Sequence, residues 1–299
     1  GFDGENSSNP NSQLPAFAFS IIADNSPNGL ATASYTAPFD PTTKKTVSSV
    51  IVNPCLVKDG TCVEEATYTR RITLPSSTMG YTIVHQRCCR NGTIDNLIDP
   101  GGTGANYWTF IPDVRTLSNR KENNSAVFKE LPPNFLCTNT PLKFDHSATD
   151  DDGDSLVYEL FRPFTGGTSN MPRPDQGGNG DLQQPPFSQI SWTTGYRDTY
   201  QIDGNPPLTI DKSTGFMTLT PTRTGQFVIG IIVKEYRNGQ LISSTRRDYQ
   251  FNVQSCVIDV VASYFVPTFI CGYQYRFQNK SSSAQRYHWD FETYIGNHK

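Results

Sequence analysis

Apolar and polar positions alternate in short runs along most of this chain, and Gly, Pro, Asn and Asp break the runs every few residues. A period of two puts successive side chains on opposite faces of a strand. The pattern predicts strands over Ala16–Ala23, Lys45–Val52, Ala66–Leu74, Tyr81–Cys88 and Asn106–Ile111. In the third of these Tyr68, Arg70 and Ile72 share one face, and Thr67, Thr69 and Arg71 the other. The clearest pair comes later. Phe227, Ile229, Ile231 and Val233 line one face of a strand, and Leu241–Val253 returns with Tyr249, Phe251 and Val253 together. Between them lies Arg237-Asn238-Gly239, where Asn-Gly takes the positive φ values of a type I′ turn. Pro207–Ile210 and Phe216–Leu219 bracket a further turn at Asp211–Gly215. Nothing along the chain sustains a 3.6-residue period with caps. The expected fold class is therefore all-β, in tandem β-sandwich modules.

Three modules are expected. Residues 1–117 form the first, β-rich and carrying a disulfide loop. The polar stretch Ser118–Ser125 links it to a second β-sandwich module, which spans 118–256. Residues 257–299 hold Tyr275, Phe277 and the run Tyr287-His288-Trp289-Asp290-Phe291. Two strands there are too few for an independent sandwich, so the third module is expected to be partial. Met171–Pro186, rich in Pro, Gly, Gln and Asn, reads as a long exposed loop.

Composition narrows the functional classes. The 299 residues carry a net charge of −3 and no basic stripe, so nucleic acid is not an expected partner. No apolar run is long enough to span a bilayer. The chain opens at Gly1 without an initiator Met, as a processed product or fragment would. Seven cysteines stand at Cys55, Cys62, Cys88, Cys89, Cys137, Cys256 and Cys271. Cys55 and Cys62 flank a short loop turning at Asp59-Gly60, an arrangement that belongs to an oxidising, exported setting. A bridge there is expected. Cys88 or Cys89 is expected to pair with Cys137 or with a cysteine upstream of Gly1, and Cys256 with Cys271. A bridge between the adjacent Cys88 and Cys89 is disfavoured. Zinc at His85, Cys88 and Cys89 would require reduced thiolates and a fourth ligand.

The densest cluster of candidate ligands is the acidic turn at Asp150, Asp151, Asp152 and Asp154 around Gly153, followed at once by the alternating run Leu156, Tyr158, Leu160. Hard Ca²⁺ takes six to eight oxygens, and carboxylates spaced in this way offer several. Asp150, Asp152 and Asp154 are the candidate Ca²⁺ ligands. The bland alternative is a solvated turn whose aspartates cap backbone N–H groups. No nucleophile-elbow or zincin motif occurs, so an enzyme is not expected. Trp108, Trp192 and Trp289 offer sugar-stacking faces on one reading and core packing on the other.

Four stretches carry a family resemblance: QRCCRNGTI (86–94), FDHSATDDDGDSLVYEL (144–160), the long block from Asn205 to Val253, and YHWDF (287–291). They resemble the PKD-domain-containing, gliding-motility-associated surface proteins of Bacteroidetes, exported by the type IX secretion system. The resemblance implies strings of Ig-like, cadherin-like and PKD modules, with 257–299 as the start of a PKD-like domain. It also implies an extracellular, cell-surface location. The expected function is a non-catalytic structural or adhesive stalk or filament segment, with a carbohydrate-binding module as the alternative. Its partners would be a protein or glycan at the cell surface, or further copies of the chain joined through sheet edges.

Overall fold

The computed structural model describes residues 17–24, 30–47, 63–113, 115, 122–174, 182–256, 263–265, 278–281 and 288. They form strands and loops with a short 3-10 turn at Pro41–Thr43. None of their helices is long and apolar enough to cross a membrane. The all-β reading holds.

Described residues up to Ser255, Asn53–Lys58 apart, form one compact unit. Its first sheet has the order β2-β1-β5-β6, from β1 (Phe17–Asp24), β2 (Leu30–Ala37), β5 (Tyr81–Arg87) and β6 (Ala105–Ile111), all antiparallel neighbours. A short ribbon pairs β3 (Lys45–Val47) with β4 (Val63–Glu65). The strand expected over 66–74 does not form: only Tyr68 makes a bridge, to Phe39. The residue alternation survives without a ladder, with Tyr68, Ile72 and Leu74 half-buried and Thr67, Thr69 and Arg71 exposed. Period two reports one covered face and says nothing of whether a partner strand is present.

The second half is a two-layer sandwich. One layer has the order β11-β14-β15-β8, from β8 (Phe135–Cys137), β11 (Ser155–Leu160), β14 (Gly225–Arg237) and β15 (Gln240–Gln254). The other has the order β12-β13-β9, from β9 (Leu142–Asp145), β12 (Thr209–Ile210) and β13 (Phe216–Leu219). A two-strand ribbon of β7 (Val127–Phe128) and β10 (Ala148–Thr149) lies beside them. Leu142, Met217 and Leu219 from one layer meet Phe227, Ile229, Ile231 and Phe251 from the other in the main core. Asn238 at φ 52 and Gly239 at φ 77 make the two-residue turn of the β14–β15 hairpin, with Arg237 opposite Gln240.

Strand β14 is buried on both faces. Val228 packs with Ile94, Leu97 and Ile190 on the side away from the sandwich core. At Gly230 the carbonyl of Phe161 would lie only 2.4 Å from a Cβ, so no other residue admits that approach. β11 pairs with β14 only from Ile231 to Tyr236, which leaves the edge of its first half to be satisfied otherwise. Asp95 exchanges two bonds with the Gln226 backbone, at 2.8 and 3.0 Å. The Asn96 side chain does the same for Val228, accepting from its N–H (3.0 Å) and donating to its carbonyl (2.8 Å). Gln201 accepts from the Gly230 N–H at 2.9 Å. Side chains thus close this edge to strand addition, the hazard of any open edge. Asn96→Ala is expected to lower the unfolding free energy by about 2 kcal/mol, because it leaves buried backbone groups of Val228 unpaired. Urea denaturation checks it, and a loss below about 0.5 kcal/mol would contradict the role.

The second unit is small. Its β16 (Tyr264–Phe265) runs antiparallel to β17 (Gln278–Asn279), and the Lys280 N–H donates to the Ser263 carbonyl at 2.9 Å. The run 287–291, apart from His288, lies outside the described residues.

Candidate functional site

The acidic turn gathers as the sequence indicates: Asp150, Asp152 and Asp154 present carboxylate oxygens within 4.8 Å of one another. Asp150 Oδ1 accepts from the backbone N–H groups of Asp152 (3.0 Å) and Asp154 (2.9 Å), which folds the turn on itself. The register Ser155↔Tyr236 then sets Asp154 beside Arg237 at the end of β14. Arg237 holds Asp154 with two bonds, Nε to Oδ1 at 2.8 Å and Nη2 to Oδ2 at 2.7 Å, and lies 3.4 Å from Asp152. Asp152 also accepts from the N–H of Asn124 at 2.6 Å. Both carboxylates are almost wholly buried, 5% and 4% exposed. A guanidinium thus pairs with two of the three carboxylates. Arg237 takes both oxygens of Asp154 and shares Asp152, while Asp150 Oδ2 is buried without a hydrogen-bond partner among the described residues. Two residues back, Glu235 is buried against the Ala126 N–H (2.7 Å), and desolvation holds its carboxyl above the usual range.

The cysteines correct one expectation. Cys88 and Cys89 are bonded to each other across a cis peptide, with Cα atoms 3.0 Å apart, and neither is bonded to Cys137. The expectation disfavours a bridge between adjacent cysteines as strained. Here β5 has ended at Arg87, and the cis peptide brings the two Cβ atoms to one side. With both sulfurs oxidised, zinc at His85, Cys88 and Cys89 has no thiolate to use. His85 Nδ1 instead donates to the Ala18 carbonyl at 2.7 Å. Cys137 and Cys256 are also disulfide-bonded, and Cys55, Cys62 and Cys271 lie outside the described residues. Disulfides fit an oxidising compartment.

Just past the cystine, Arg90 enters the interior and meets Asp248 on β15. Its Nη1 and Nη2 donate to the two carboxylate oxygens at 2.8 and 2.5 Å, its Nε to the Gly104 carbonyl at 3.1 Å, and Nη2 again to the Phe164 carbonyl at 3.1 Å. Both side chains are 5% exposed. This pair fastens the segment between β5 and β6 to the sandwich. Arg246, Asp248, Gln250 and Asn252 form the polar face of β15. This face meets β6 and the 88–104 segment, so polar alternation signals a face and not what covers it.

Beside this pair lies a cavity of ≈ 650 Å³. Its apolar wall comes from Phe17, Phe19 and Ile21 on β1 and from Ile83 on β5, with Ile72 and Leu74 of the 66–74 segment closing over them. Its polar wall holds Asn106, Trp108 and Thr109 on β6 and Arg246 on β15. The Arg246 guanidinium stacks 4.0 Å over the Trp108 ring and donates to the Trp108 carbonyl at 3.3 Å. Burial pulls its pKa down to about 10. Tyr107, buried nearby, has its phenol pushed up by desolvation and by the Asp248 charge.

The tryptophans expected to choose between sugar and core lie in packing roles where described. Trp192 packs on Ile94, Leu97, Ile190 and Val228, and its indole N–H donates to Asp198 at 2.7 Å. Trp289 lies outside the described residues. Compared with protein-family models, curated proteins and solved structures, the chain matches none.

Proposed function

We propose that this chain is a non-catalytic extracellular segment of a surface protein, a stalk or filament element that spaces or presents a protein- or glycan-binding partner. The observation that carries this reading is the bracing of the β14–β15 hairpin. Its strands, 13 and 15 residues long, are clasped at the turn by Arg237 on Asp152 and Asp154 and in the middle by Arg90 on Asp248. At the far end they are bordered by parallel β8, whose Cys137 is disulfide-bonded. At about 3.3 Å per residue such a hairpin runs roughly 40 Å. Cross-bracing at turn, middle and end is what a load-transmitting element needs. The Arg237 clasp supplies the positive charge at Asp150–Asp154 that calcium would supply at a module junction. The resemblance of 144–160 and 205–253 to Bacteroidetes surface proteins supports the cell-surface setting, with Ig- or cadherin-like modules and a PKD-like start after Cys256. Because side chains close the β14 edge, self-association through sheet edges would use another strand.

Pulling the chain between handles at Phe17 and Ser255 in an optical trap tests the reading. The expected trace is one abrupt rip that releases the unit whole. Gradual yielding, strand by strand at low force, would overturn the load-bearing role.

A further inference from the structure

An edge strand turns every second N–H and C=O away from its sheet, and proteins guard such rows with charge, proline, bulges, short length or cover. Most edges here are guarded. Strand β9 carries Lys143 and Asp145, β11 carries Glu159, and β8 and β12 are only three and two residues long. The outer side of β6 is met by the Phe164 carbonyl, which accepts from the Asn106 N–H at 3.3 Å, and by Arg246, which donates to the Trp108 carbonyl at 3.3 Å. Strand β2, at the other end of that sheet, has no such guard, and no strand borders its outer side among the described residues. Its sequence, LATASYTA, holds no charge and no proline, and it pairs with β1 over all 8 residues without a register shift. Ala33, Ser34 and Thr36 are exposed.

The registers fix which residues face outward. Trp108, Val84, Ser20 and Ser34 stand opposite one another across the four strands. Opposite residues of an antiparallel pair either exchange both backbone bonds or both turn away. The Trp108 carbonyl points out of the sheet, to Arg246. Val84 therefore turns to β1 and bonds Ser20, and Ser34 turns its backbone outward. Leu30, Thr32 and Thr36 turn outward with it.

We propose that β2 is a self-pairing edge that joins two copies of this chain about a two-fold axis; this rests on the stalk or filament reading above. Two antiparallel β2 strands match best with Ala33 opposite its own counterpart. Thr32 then exchanges backbone bonds with Ser34 of the other copy, and Leu30 with Thr36, so the outward groups of all these residues are used. A second copy is the occupant that the charge favours. Two-fold pairing sets an edge against itself, which repels wherever the edge is charged, and β2 has no charge to repel. The small Ala33 side chains suit the close spacing of a pair that exchanges no bonds. Two four-stranded sheets become one continuous sheet.

Sedimentation velocity of the full chain over a concentration series tests this, with charge variants at the exposed Ala33. The expected result is a reversible dimer. Ala33→Lys and Ala33→Glu each set like charges opposite one another across the axis, and each is expected to weaken the dimer at least roughly tenfold. Mixing the two variants is expected to restore pairing as a heterodimer. Ser34→Pro removes an outward N–H, leaves the β1 ladder whole, and is expected to weaken the dimer likewise. Circular-dichroism melts establish that each variant is folded. A parent chain that stays monomeric, folded variants that dimerise as the parent does, or a Lys and Glu mixture that stays monomeric would each overturn the proposal. Pulling separates it from the reading beneath it. A monomeric chain that still releases in one rip overturns β2 pairing alone, whereas gradual yielding overturns the load-bearing role whether or not the chain dimerises.

Discussion

Replacing Arg90 with methionine is expected to lower the unfolding free energy by about 3–5 kcal/mol, the cost of breaking a buried ion pair by removing one partner. Arg90 binds both oxygens of Asp248 and the carbonyls of Gly104 and Phe164, and both charged side chains are 5% exposed. Without the guanidinium, a carboxylate only 5% exposed and two carbonyls lose their partner. The loss comes mainly from that stranded charge and not from the attraction of the pair, because the pair itself costs much to desolvate. The double variant Arg90→Met with Asp248→Leu is therefore expected to recover most of the stability. Guanidinium denaturation of the three proteins measures it. A single variant within about 1 kcal/mol of the parent would show that Asp248 reaches solvent and that the brace is dispensable. A double variant as unstable as the single one would move the cause to the carbonyls of Gly104 and Phe164.

This pair also marks where the sequence stops being readable. The β14–β15 hairpin was legible almost to the residue, because an apolar face, an Asn-Gly turn and a returning apolar face are all local signals. The turn at Asp211–Gly215 was legible for the same reason: Asp211 accepts from the N–H groups of Ser213 (3.0 Å) and Thr214 (2.8 Å). Strand β2 escaped notice because Leu30–Ala37 is built from one Leu, one Tyr and otherwise Ala, Thr and Ser, with little hydrophobic contrast between its faces. The site residues escaped for a different reason. Arg246 and Asp248 alternate with Arg247 and Tyr249 as on any half-exposed strand, and only the arrival of Arg90 and β6 from more than 130 positions earlier buries them. Asn96 and Gln201 carry no sequence signal at all, since their work depends on where β11 stops covering β14. The acidic turn was legible as a cluster, but its ion-pair partner Arg237 stands 83 positions away from Asp154. Proximity along the chain reports what a loop can offer, and the fold decides what meets it.

The same separation gives the chain an acid sensitivity that its four histidines alone do not suggest. His146 follows β9 and is fully buried, with the rings of Phe128, Phe144 and Tyr249 around it at centroid distances of 4.6, 5.8 and 6.0 Å. Arg247 Nη1 lies 3.4 Å from its Nε2, so the ring accepts there, carries its proton on Nδ1 and stays neutral. Desolvation first, and the Arg247 charge second, lower its pKa from 6.5 to about 4; the neighbouring Asp145 carboxylate opposes them weakly. The unfolded chain takes up a proton at this residue as pH falls through 6.5, and the folded chain does not until about 4. The unfolded state therefore binds more protons in that window, and stability drops as pH is lowered through it. At 1.36 kcal/mol per unit, the loss between pH 7 and pH 4 is about 3 kcal/mol from this residue alone. Below pH 4 both states are protonated and the contribution stops changing. His146→Phe keeps an aromatic ring in the same cage and removes the titration. The difference in unfolding free energy between pH 7 and pH 4.5 is expected to be smaller in this variant by about 2–3 kcal/mol, a comparison in which the carboxylates common to both proteins cancel. Equal pH dependence in the two proteins would place a solvent path or a counter-charge at His146 that its ring of aromatics does not provide.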